Sequence, residues 1–197
     1  MKVLLLSPYP QGLMSAFQAA GDKVVFPHDF SPVEDLEADY VVSYGYPHIL
    51  RGPFLERHKH RMCNLHIGCL PWNRGAHPNF WSWFDGTPKG VTIHEIDEGL
   101  DTGPIIAQAV MHMSAEHETL ESSYGHLHSM LVDLFQRRWP EIREKKYTLT
   151  LQRGKGSAHK KRDLEPIWPM LPKGWGTKCR DVEFLGERLR SNDLAFP

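Results

Sequence analysis

The chain has 197 residues, a formal charge of −1 and a pI near 6.9, and this length predicts one domain with a full hydrophobic core. The near-neutral balance argues against general nucleic-acid binding, which normally requires a basic surplus. The apolar run at Lys2–Leu6 is too short for a signal peptide or a membrane span, and three cysteines, an odd number, favour reduced thiols and a cytoplasmic location.

The first third of the chain alternates between apolar strands and helical segments. Strands are predicted over Lys2–Leu6, Lys23–Phe26, Asp39–Tyr44 and Met62–His66, and helices over Leu13–Ala20, which stops at Gly21, and Pro47–His60. This alternation predicts an α/β fold, an open and mostly parallel sheet with helices on both faces. Ligands bind such sheets at the carboxyl ends of the strands, where His66 is placed.

The middle of the chain carries an aromatic stretch, two strands and a long helix. At helical spacing Phe80, Trp83 and Phe84 form one stripe, which favours core packing over contact with a substrate. Strands are predicted over Gly90–Ile96 and Ile105–Met111, able to pair around the loop between them. The long helix is predicted over Glu118–Trp139, capped by Ser114 or Thr119 and ending near Pro140, with a buried stripe at Leu120, Tyr124, Leu127, Leu131 and Leu134.

Twelve histidines raise the question of a metal site. The pairs His58/His60, His112/His117 and His126/His128 lack the Cys/His spacings and the HExxH pattern of metal proteins. We therefore expect these histidines at the surface and in loops, and we expect no metal.

Three polar residues form the candidate catalytic group. Asn64 and His66 are two residues apart, so both side chains point to the same face of an extended strand. Asp101 lies in the glycine-flanked loop EGLDTGP, where the backbone can bend back toward that pair. An amide donor, an imidazole and a carboxylate provide what acyl transfer to an amine requires, namely donors for the oxyanion and a group that orients the imidazole.

Four motifs follow one another along the middle of the chain: Asn64-Leu65-His66, Leu70-Pro71-Trp72-Asn73-Arg74-Gly75, Gly90-Val91-Thr92 and Asp97-Glu98-Gly99-Leu100-Asp101-Thr102-Gly103. Their order and spacing resemble those of the formyltransferases that use 10-formyltetrahydrofolate. The resemblance implies that Asn64, His66 and Asp101 are the catalytic residues. It predicts a catalytic domain over residues 1–160 and a C-terminal extension over residues 161–197. Ile67-Gly68-Cys69 departs from the family, where many relatives have Pro-Ser-Leu.

The same resemblance implies where the folate co-substrate binds. Two loops would contact the pterin mainly through their main chains, one made of Pro47, His48, Ile49 and Leu50 and the other of Ile96, Asp97, Glu98, Gly99 and Leu100. The apolar side chains of Ile49, Leu50, Ile96 and Leu100 fit ordinary core packing equally well, so the residues leave both interpretations open.

The sequence constrains the identity of the amine acceptor less closely than it constrains the type of reaction. The turn Ser7–Gly12 contains two prolines, which remove backbone donors and argue against a phosphate cradle for glycinamide ribonucleotide. Methionyl-tRNA would require a basic extra domain. An amino acid or a carrier-bound aminoacyl group fits the core. The segment NLHIGCLPWNRGAHPNFWSW is similar to the branch that formylates nucleotide-linked amino sugars, and also to formylation domains of peptide synthetases. The end ERLRSNDLAFP resembles the segment with which sugar formyltransferases close their core, so a nucleotide-linked amino sugar, a substrate associated with lipopolysaccharide biosynthesis, fits best.

Candidate acceptor-binding residues follow from that interpretation. They are Arg74 and Gly75 in the turn, Trp81 and Tyr9 as stacking groups, and Lys160 and Lys161 in the glycine-rich basic loop Arg153–Arg162. A run of charge is commonly a solvated face. Residues 164–197, with a short helix at Val182–Arg190, are expected to bury against the body or to form a homodimer. The non-enzyme alternative, a folate-binding regulatory protein, would be indicated by loss of Asn64, His66 or Asp101, and all three are present.

Overall fold

The computed structural model describes residues 1–27, 33 and 36–191, and eight strands occur within them. They are β1 (Lys2–Leu6), β2 (Lys23–Val25), β3 (Tyr40–Tyr44), β4 (Met62–His66), β5 (Arg74–Gly75), β6 (Gly90–Glu95), β7 (Ile105–Val110) and β8 (Ala158–His159). The main sheet has the order β2-β1-β3-β4-β6-β7. Strands β1 to β4 are mutually parallel, and β6 pairs antiparallel with β4. The predicted mostly parallel α/β sheet is confirmed.

Five α-helices accompany these strands in the described part of the chain. They are α1 (Gln11–Ala19), α2 (Gly52–Arg57), α3 (Pro78–Phe84), α4 (Leu120–Arg143) and α5 (Cys179–Arg190). By internal contacts the chain divides into two units. The first unit comprises Met1–His66, Thr92–Gln108 and Met130–Gln152, and the second comprises Ile67–Val91, Ala109–Ser129 and the described residues from Arg153 onward.

In the first unit, helices pack on both faces of the sheet. Neighbouring residues of β3 contact different helices, because successive side chains of a strand point to opposite faces. The ring of Tyr40 packs edge-on against Trp139 of α4, which in turn contacts Phe17 of α1. On the other face, Val41 belongs to a buried cluster with Phe54 of α2. The apolar runs of β1 and β3 are buried on both sides for this reason.

All four predicted helices differ from the structure at their ends, and the differences are largest for two of them. The segment Pro47–His60 is helical only over Gly52–Arg57, so the prediction was wrong for Pro47–Leu50, which form a loop after β3. The helix starts at Gly52, whose φ is 57°, and Pro53 follows with a fixed φ that suits the first turn of a helix. Helix α4 continues through Pro140 to Arg143 because Trp139 and Ile142 are fully buried and hold its last turn.

The second unit has its own core, built from the aromatic helix α3 and the chain after residue 164. Phe80, Trp83 and Phe84 are buried, as the core-packing interpretation predicted. Their buried neighbours include Leu164, Ile167, Leu171, Cys179 and Val182. The predicted burial of this segment therefore holds for these residues but was wrong for Trp168 and Trp175, which are exposed. Residues 192–197 of the motif ERLRSNDLAFP lie outside the described residues. Homodimer formation stays a prediction.

One buried acid ties α4 to the sheet of the first unit. The carboxylate of Asp22 accepts hydrogen bonds from Trp139 Nε1 (2.9 Å) and from the Arg143 guanidinium (3.0 Å). Burial alone would raise the pKa of Asp22, but the hydrogen bonds outweigh it and the pKa is lowered. A lowered pKa contributes stability above pH ~3.9, the value in the unfolded chain, and this contribution is lost as the pH falls through the folded-state pKa.

We predict that Asp22→Asn lowers the free energy of unfolding by about 2 kcal/mol at pH 7, because charge-assisted hydrogen bonds are lost. The difference from the wild type should shrink as the pH falls below ~3.9 and through the lowered folded-state pKa of Asp22, because the carboxyl is then protonated in both states. Urea unfolding at pH 7 and pH 3 measures the difference in the free energy of unfolding between the variant and the wild type. The exposed Asp133→Asn on α4 serves as the control. An equal loss at both pH values would contradict the electrostatic explanation.

Candidate active site

The site begins with the pairing of β4 and β6. In their antiparallel register, Asn64 lies opposite His94 and His66 lies opposite Thr92. Directly opposed residues of an antiparallel pair point to the same face. The pairing therefore brings the predicted Asn64 and His66 together with Thr92 and His94, at the carboxyl end of the parallel strand β4.

Asp101 reaches this face from the loop between β6 and β7. Its Oδ1 accepts a hydrogen bond from Asn64 Nδ2 at 3.0 Å, and its Oδ2 lies 3.5 Å from His66 Nδ1. The side chains of His66 and Asp101 are only 6% and 11% exposed, so their interaction is screened little by water. The structure thus brings together the three residues that the sequence proposed.

The position of Asp101 depends on its backbone. The residue adopts a left-handed conformation with φ of 53°. The Gln152 side-chain amide donates to the carbonyls of Asp101 and Gly103, both at 2.8 Å. A side chain at Gly103 would place its Cβ 1.8 Å from the carbonyl oxygen of Glu95, so only glycine allows this close approach. The Glu95 N–H also donates to the Pro104 carbonyl at 2.9 Å.

His94 is a site residue that the sequence analysis missed. Its Nε2 lies 3.3 Å from Asp101 Oδ1 and 3.3 Å from Asn64 Nδ2, and its side chain is 2% exposed. Its Nδ1 lies 2.8 Å from the Glu95 carbonyl. Because a carbonyl only accepts, Nδ1 is the donor, which fixes the ring with Nε2 toward Asp101. Alternation in the strand GVTIHEI was the available signal, since it places His94 on the face of Thr92.

The next residue of β6 points to the opposite face. Buried Glu95 accepts a hydrogen bond from the Tyr147 hydroxyl at 3.1 Å, and its other oxygen lies 3.1 Å from His60 Nδ1. Burial raises the pKa of Tyr147 to about 12, so its hydroxyl remains a donor at neutral pH. Burial likewise raises the pKa of Cys63, opposite Glu95 on β4, to about 12, which makes an inert thiol.

The two loops proposed for folate both belong to the first unit. Leu50 is buried in the cluster of β1, β3 and α2, and Ile96 packs against the same cluster, so these two side chains serve the core. Pro47, His48, Ile49, Glu98, Gly99 and Leu100 are exposed. Asp97 Oδ1 accepts from the Gly99 N–H (3.1 Å) and the Thr102 hydroxyl (2.6 Å), which fixes the turn that leads to Asp101.

The turn with Arg74 and the glycine-rich basic loop are joined in the second unit. Strand β5, Arg74–Gly75, pairs in parallel with β8, Ala158–His159. Asn73 Nδ2 donates to Thr87, and its Oδ1 accepts from the Ser157 hydroxyl at 3.0 Å. Lys160 and Lys161 follow β8 and are exposed. The structure therefore places Arg74 in, and the two lysines next to, one two-stranded sheet made of β5 and β8.

The two aromatic candidates occupy different surroundings. Trp81 is 4% exposed and stacks on His159, with ring centroids 3.8 Å apart and an interplanar angle of 5°. Trp81 is therefore a core residue of α3, like Phe80, Trp83 and Phe84. Tyr9 is exposed in the first unit, 5.4 Å from the ring of Tyr44 at the carboxyl end of β3.

The histidines and cysteines differ in how well they follow expectation. All three cysteines are buried and free. The surface interpretation was wrong for His58, which is 1% exposed and bonded through Nδ1 to the Phe54 carbonyl at 3.0 Å. Among the described residues no group of three or more His, Cys, Asp or Glu is arranged to hold a metal ion. None of the described helices is both long and apolar enough to span a membrane.

The fold and the geometry place Asn64, His66 and Asp101 together at the carboxyl end of β4, an arrangement that provides the donors and the carboxylate that acyl transfer to an amine requires. Residues 14–137 match the model of the formyl transferase family. The chain belongs to that family, and its match includes Asn64, His66 and Asp101.

Three relatives illustrate the similarity. The formyltransferase PseJ from Anoxybacillus kamchatkensis, solved with UDP-4,6-dideoxy-4-formamido-L-AltNAc and tetrahydrofolate, is 39% identical, with a TM-score of 0.85 over 92% of this chain and 97% of its own. The dTDP-4-amino-4,6-dideoxyglucose formyltransferase of Mycobacterium bovis is 37% identical over 54% of this chain and 45% of its own. Methionyl-tRNA formyltransferase of Thermodesulfovibrio yellowstonii is 40% identical over 43% and 28%. The chain spans less than half the length of the two curated relatives.

We predict that Gly103→Ala displaces the Asp101 loop, because the added Cβ would overlap the Glu95 carbonyl. The free energy of unfolding should fall by about 1–3 kcal/mol, and the imidazole NMR signals of His66 and His94 should shift. Gly125→Ala on α4, where the new Cβ meets nothing within 4 Å, is the matched control. Unchanged imidazole signals in Gly103→Ala would contradict the role given to Gly103.

Proposed function

We propose that the protein transfers a formyl group from 10-formyltetrahydrofolate to a primary amine, namely the amino sugar of a nucleotide-linked sugar. The observation that carries this proposal is the placement of Asn64 within hydrogen-bonding distance, and of His66 within ion-pair distance, of the same Asp101 carboxylate. Two relatives support the acceptor class: PseJ was solved with a UDP-linked formamido sugar, and the mycobacterial relative is named for a dTDP-linked amino sugar.

In the proposed reaction the amine nitrogen attacks the formyl carbon, and a tetrahedral oxyanion forms. The Asn64 amide has two N–H donors, and its nitrogen lies near Asp101 Oδ1 and His94 Nε2. One N–H would stay bonded to Asp101 during the reaction, and the other would turn from His94 to the oxyanion. His66 directs Nδ1 toward Asp101, so its Nε2–H serves as the second donor. The Asp101 carboxylate favours the imidazolium form of His66 by its charge.

Collapse of the intermediate breaks the carbon–nitrogen bond to the folate and leaves the formamide. Asp101 takes the proton of the attacking amine through a water, and the folate nitrogen gains a proton as it leaves. Nothing is oxidised or reduced. His94 holds Asp101 from its other side, as a positioning residue that keeps the carboxylate facing both Asn64 and His66.

Binding roles are assigned to the remaining candidates on the same basis. The exposed loop Pro47–Ile49 and the turn Asp97–Leu100 would contact the pterin, chiefly through their main chains. Arg74 and the lysines after β8 would bind the acceptor's phosphates. The boundary near residue 160, the cytoplasmic location and the homodimer remain predictions that go with this function.

A carrier-bound aminoacyl group or an amino acid is the alternative acceptor, and glycinamide ribonucleotide ranks below it. The deciding experiment mixes the protein with 10-formyltetrahydrofolate and a panel of nucleotide-linked amino sugars and amino acids. It measures release of tetrahydrofolate and the mass of the product. Formylation of the sugar nucleotides supports the proposal. Folate binding without release for any amine would indicate a folate-binding regulatory protein instead.

We predict that Asn64→Ala, His66→Ala and Asp101→Ala each lower kcat by about 100-fold or more, since each removes a group that acts on one intermediate. Losses in double variants should be smaller than the product of single losses. Steady-state kinetics with circular dichroism as a folding check measures this, and exposed His126→Ala is the control. Near-normal turnover of His66→Ala would refute the mechanism.

A second kinetic prediction concerns the basic segment. Arg74→Ala, or Lys160→Ala with Lys161→Ala, should raise the acceptor KM and leave the folate KM nearly unchanged, because only the acceptor carries the diphosphate. Added salt should imitate the lysine change, since exposed charges are screened beyond ~10 Å at 0.1 M ionic strength. The exposed pair Lys145 and Lys146 on the first unit provides the control. Equal kcat/KM for the sugar nucleotide and the unlinked amino sugar would refute nucleotide recognition.

A further inference from the structure

Two tryptophans of the second unit lie at its surface in contact with each other. Trp168 is 38% exposed and Trp175 is 43% exposed. Their ring centroids are 4.7 Å apart, and their planes are tilted by 56°. The imidazole of His77 lies 5.7 Å from the Trp175 ring, with an interplanar angle of 36°. We call these three rings the aromatic platform.

The backbone beneath the platform is fixed by short hydrogen-bonded turns. The Leu171 N–H donates to the Trp168 carbonyl at 3.0 Å, and the Thr177 hydroxyl donates to the Gly174 carbonyl at 2.7 Å. Gly174 has a φ of 50°, and a Cβ there would lie 3.5 Å from the Trp168 ring, so its main chain lies against that ring.

The platform is also anchored to the core on its inner side. Ile167 and Leu171, each 5% exposed, flank Trp168 and belong to the buried cluster around α3. The rings therefore occupy a fixed position at the surface instead of folding inward. A planar ligand that stacks on preordered rings loses less conformational entropy than one that must order a flexible loop.

Positive charge borders the platform. His77 lies near Lys161, and both burial and the charge of Lys161 lower the pKa of His77, which keeps this ring neutral at pH 7. Lys161 begins the short 3₁₀ helix Lys161–Leu164. That helix follows β8, which pairs with Arg74 of β5. Neutral aromatic rings beside a cationic segment suit a ligand with a planar ring at one end and negative charge next to it.

We propose that the aromatic platform stacks the base of a nucleoside diphosphate, with the diphosphate directed toward Lys161 and Arg74. The inference rests on the proposed function and specifies which residues recognise the nucleotide part of the acceptor. It assigns base stacking to Trp168 and Trp175, and not to Trp81 or Trp83, which are buried. The chain after residue 164 thereby contributes to substrate recognition as well as to the core.

The test measures binding separately from catalysis. UDP and dTDP are titrated into the full chain by calorimetry, with Trp168→Ala, Trp175→Ala and Trp175→Phe as variants. Loss of a base–aromatic stack corresponds to about a 5- to 150-fold rise in Kd for the alanine variants, with Trp175→Phe retaining most of the affinity. Phe184→Ala, which removes a 59% exposed ring of α5 in the same unit, is the matched control. Thermal unfolding of each variant verifies that it folds.

Kinetics provides a second readout. Trp175→Ala should raise the acceptor KM and leave the folate KM and kcat near their wild-type values. Wild-type affinity for UDP and dTDP in both alanine variants would overturn the proposal. So would a selective rise in the folate KM, which would make the platform a pterin site, or dissociation of a dimer without any change in nucleotide affinity.

The outcome also distinguishes this inference from the function on which it rests. If formyl transfer to unlinked amines proceeds but the wild type does not bind UDP or dTDP, the platform proposal fails and formyl transfer stands. If nucleotide binding depends on the two tryptophans but no amine releases tetrahydrofolate, the platform stands and the proposed reaction fails.

Discussion

The contacts of one carboxylate, that of Asp101, organise the site. It lies 3.0 Å from the Asn64 amide, 3.3 Å from His94 and 3.5 Å from His66, so a small displacement would alter all three contacts. The loop that carries it has a left-handed residue and no regular secondary structure, and its geometry is maintained by neighbours. Close approach of Gly103 to the Glu95 carbonyl and two hydrogen bonds from Gln152 supply that constraint.

Strand β6 connects this reactive face to the interior. Because successive residues of a strand point to opposite faces, His94 contacts Asp101 while the Glu95 side chain accepts a hydrogen bond from Tyr147 behind the sheet. The main chain of Glu95 also supports the site, because its carbonyl accepts a hydrogen bond from His94 Nδ1. A buried network that stabilises the fold therefore also orients a histidine of the site.

In the second unit, strand pairing and hydrogen bonds hold together segments that are distant in sequence. The turn that follows β4 carries Arg74, and the basic loop joins it roughly eighty residues later through β5–β8 pairing and the Asn73–Ser157 hydrogen bond. Gly156 allows this contact, because a Cβ there would lie 2.1 Å from the Pro71 carbonyl oxygen. Glycine in the basic loop thus has a packing role, and its lysines remain at the surface for binding.

The sequence by itself determined the sheet class, the bounds of β1 and β4, the shared face of Asn64 and His66, and the family, because periodicity and motif spacing are local properties. Tertiary structure alone decided the rest. His94 joined the site through its register opposite Asn64. Tyr124 proved exposed although it lay on the predicted stripe of α4, and helix α2 was shorter than its pattern. Trp81 was buried and Trp175 exposed, although the two side chains are chemically identical. The physical reason is that strand register and burial depend on residues far away in the chain.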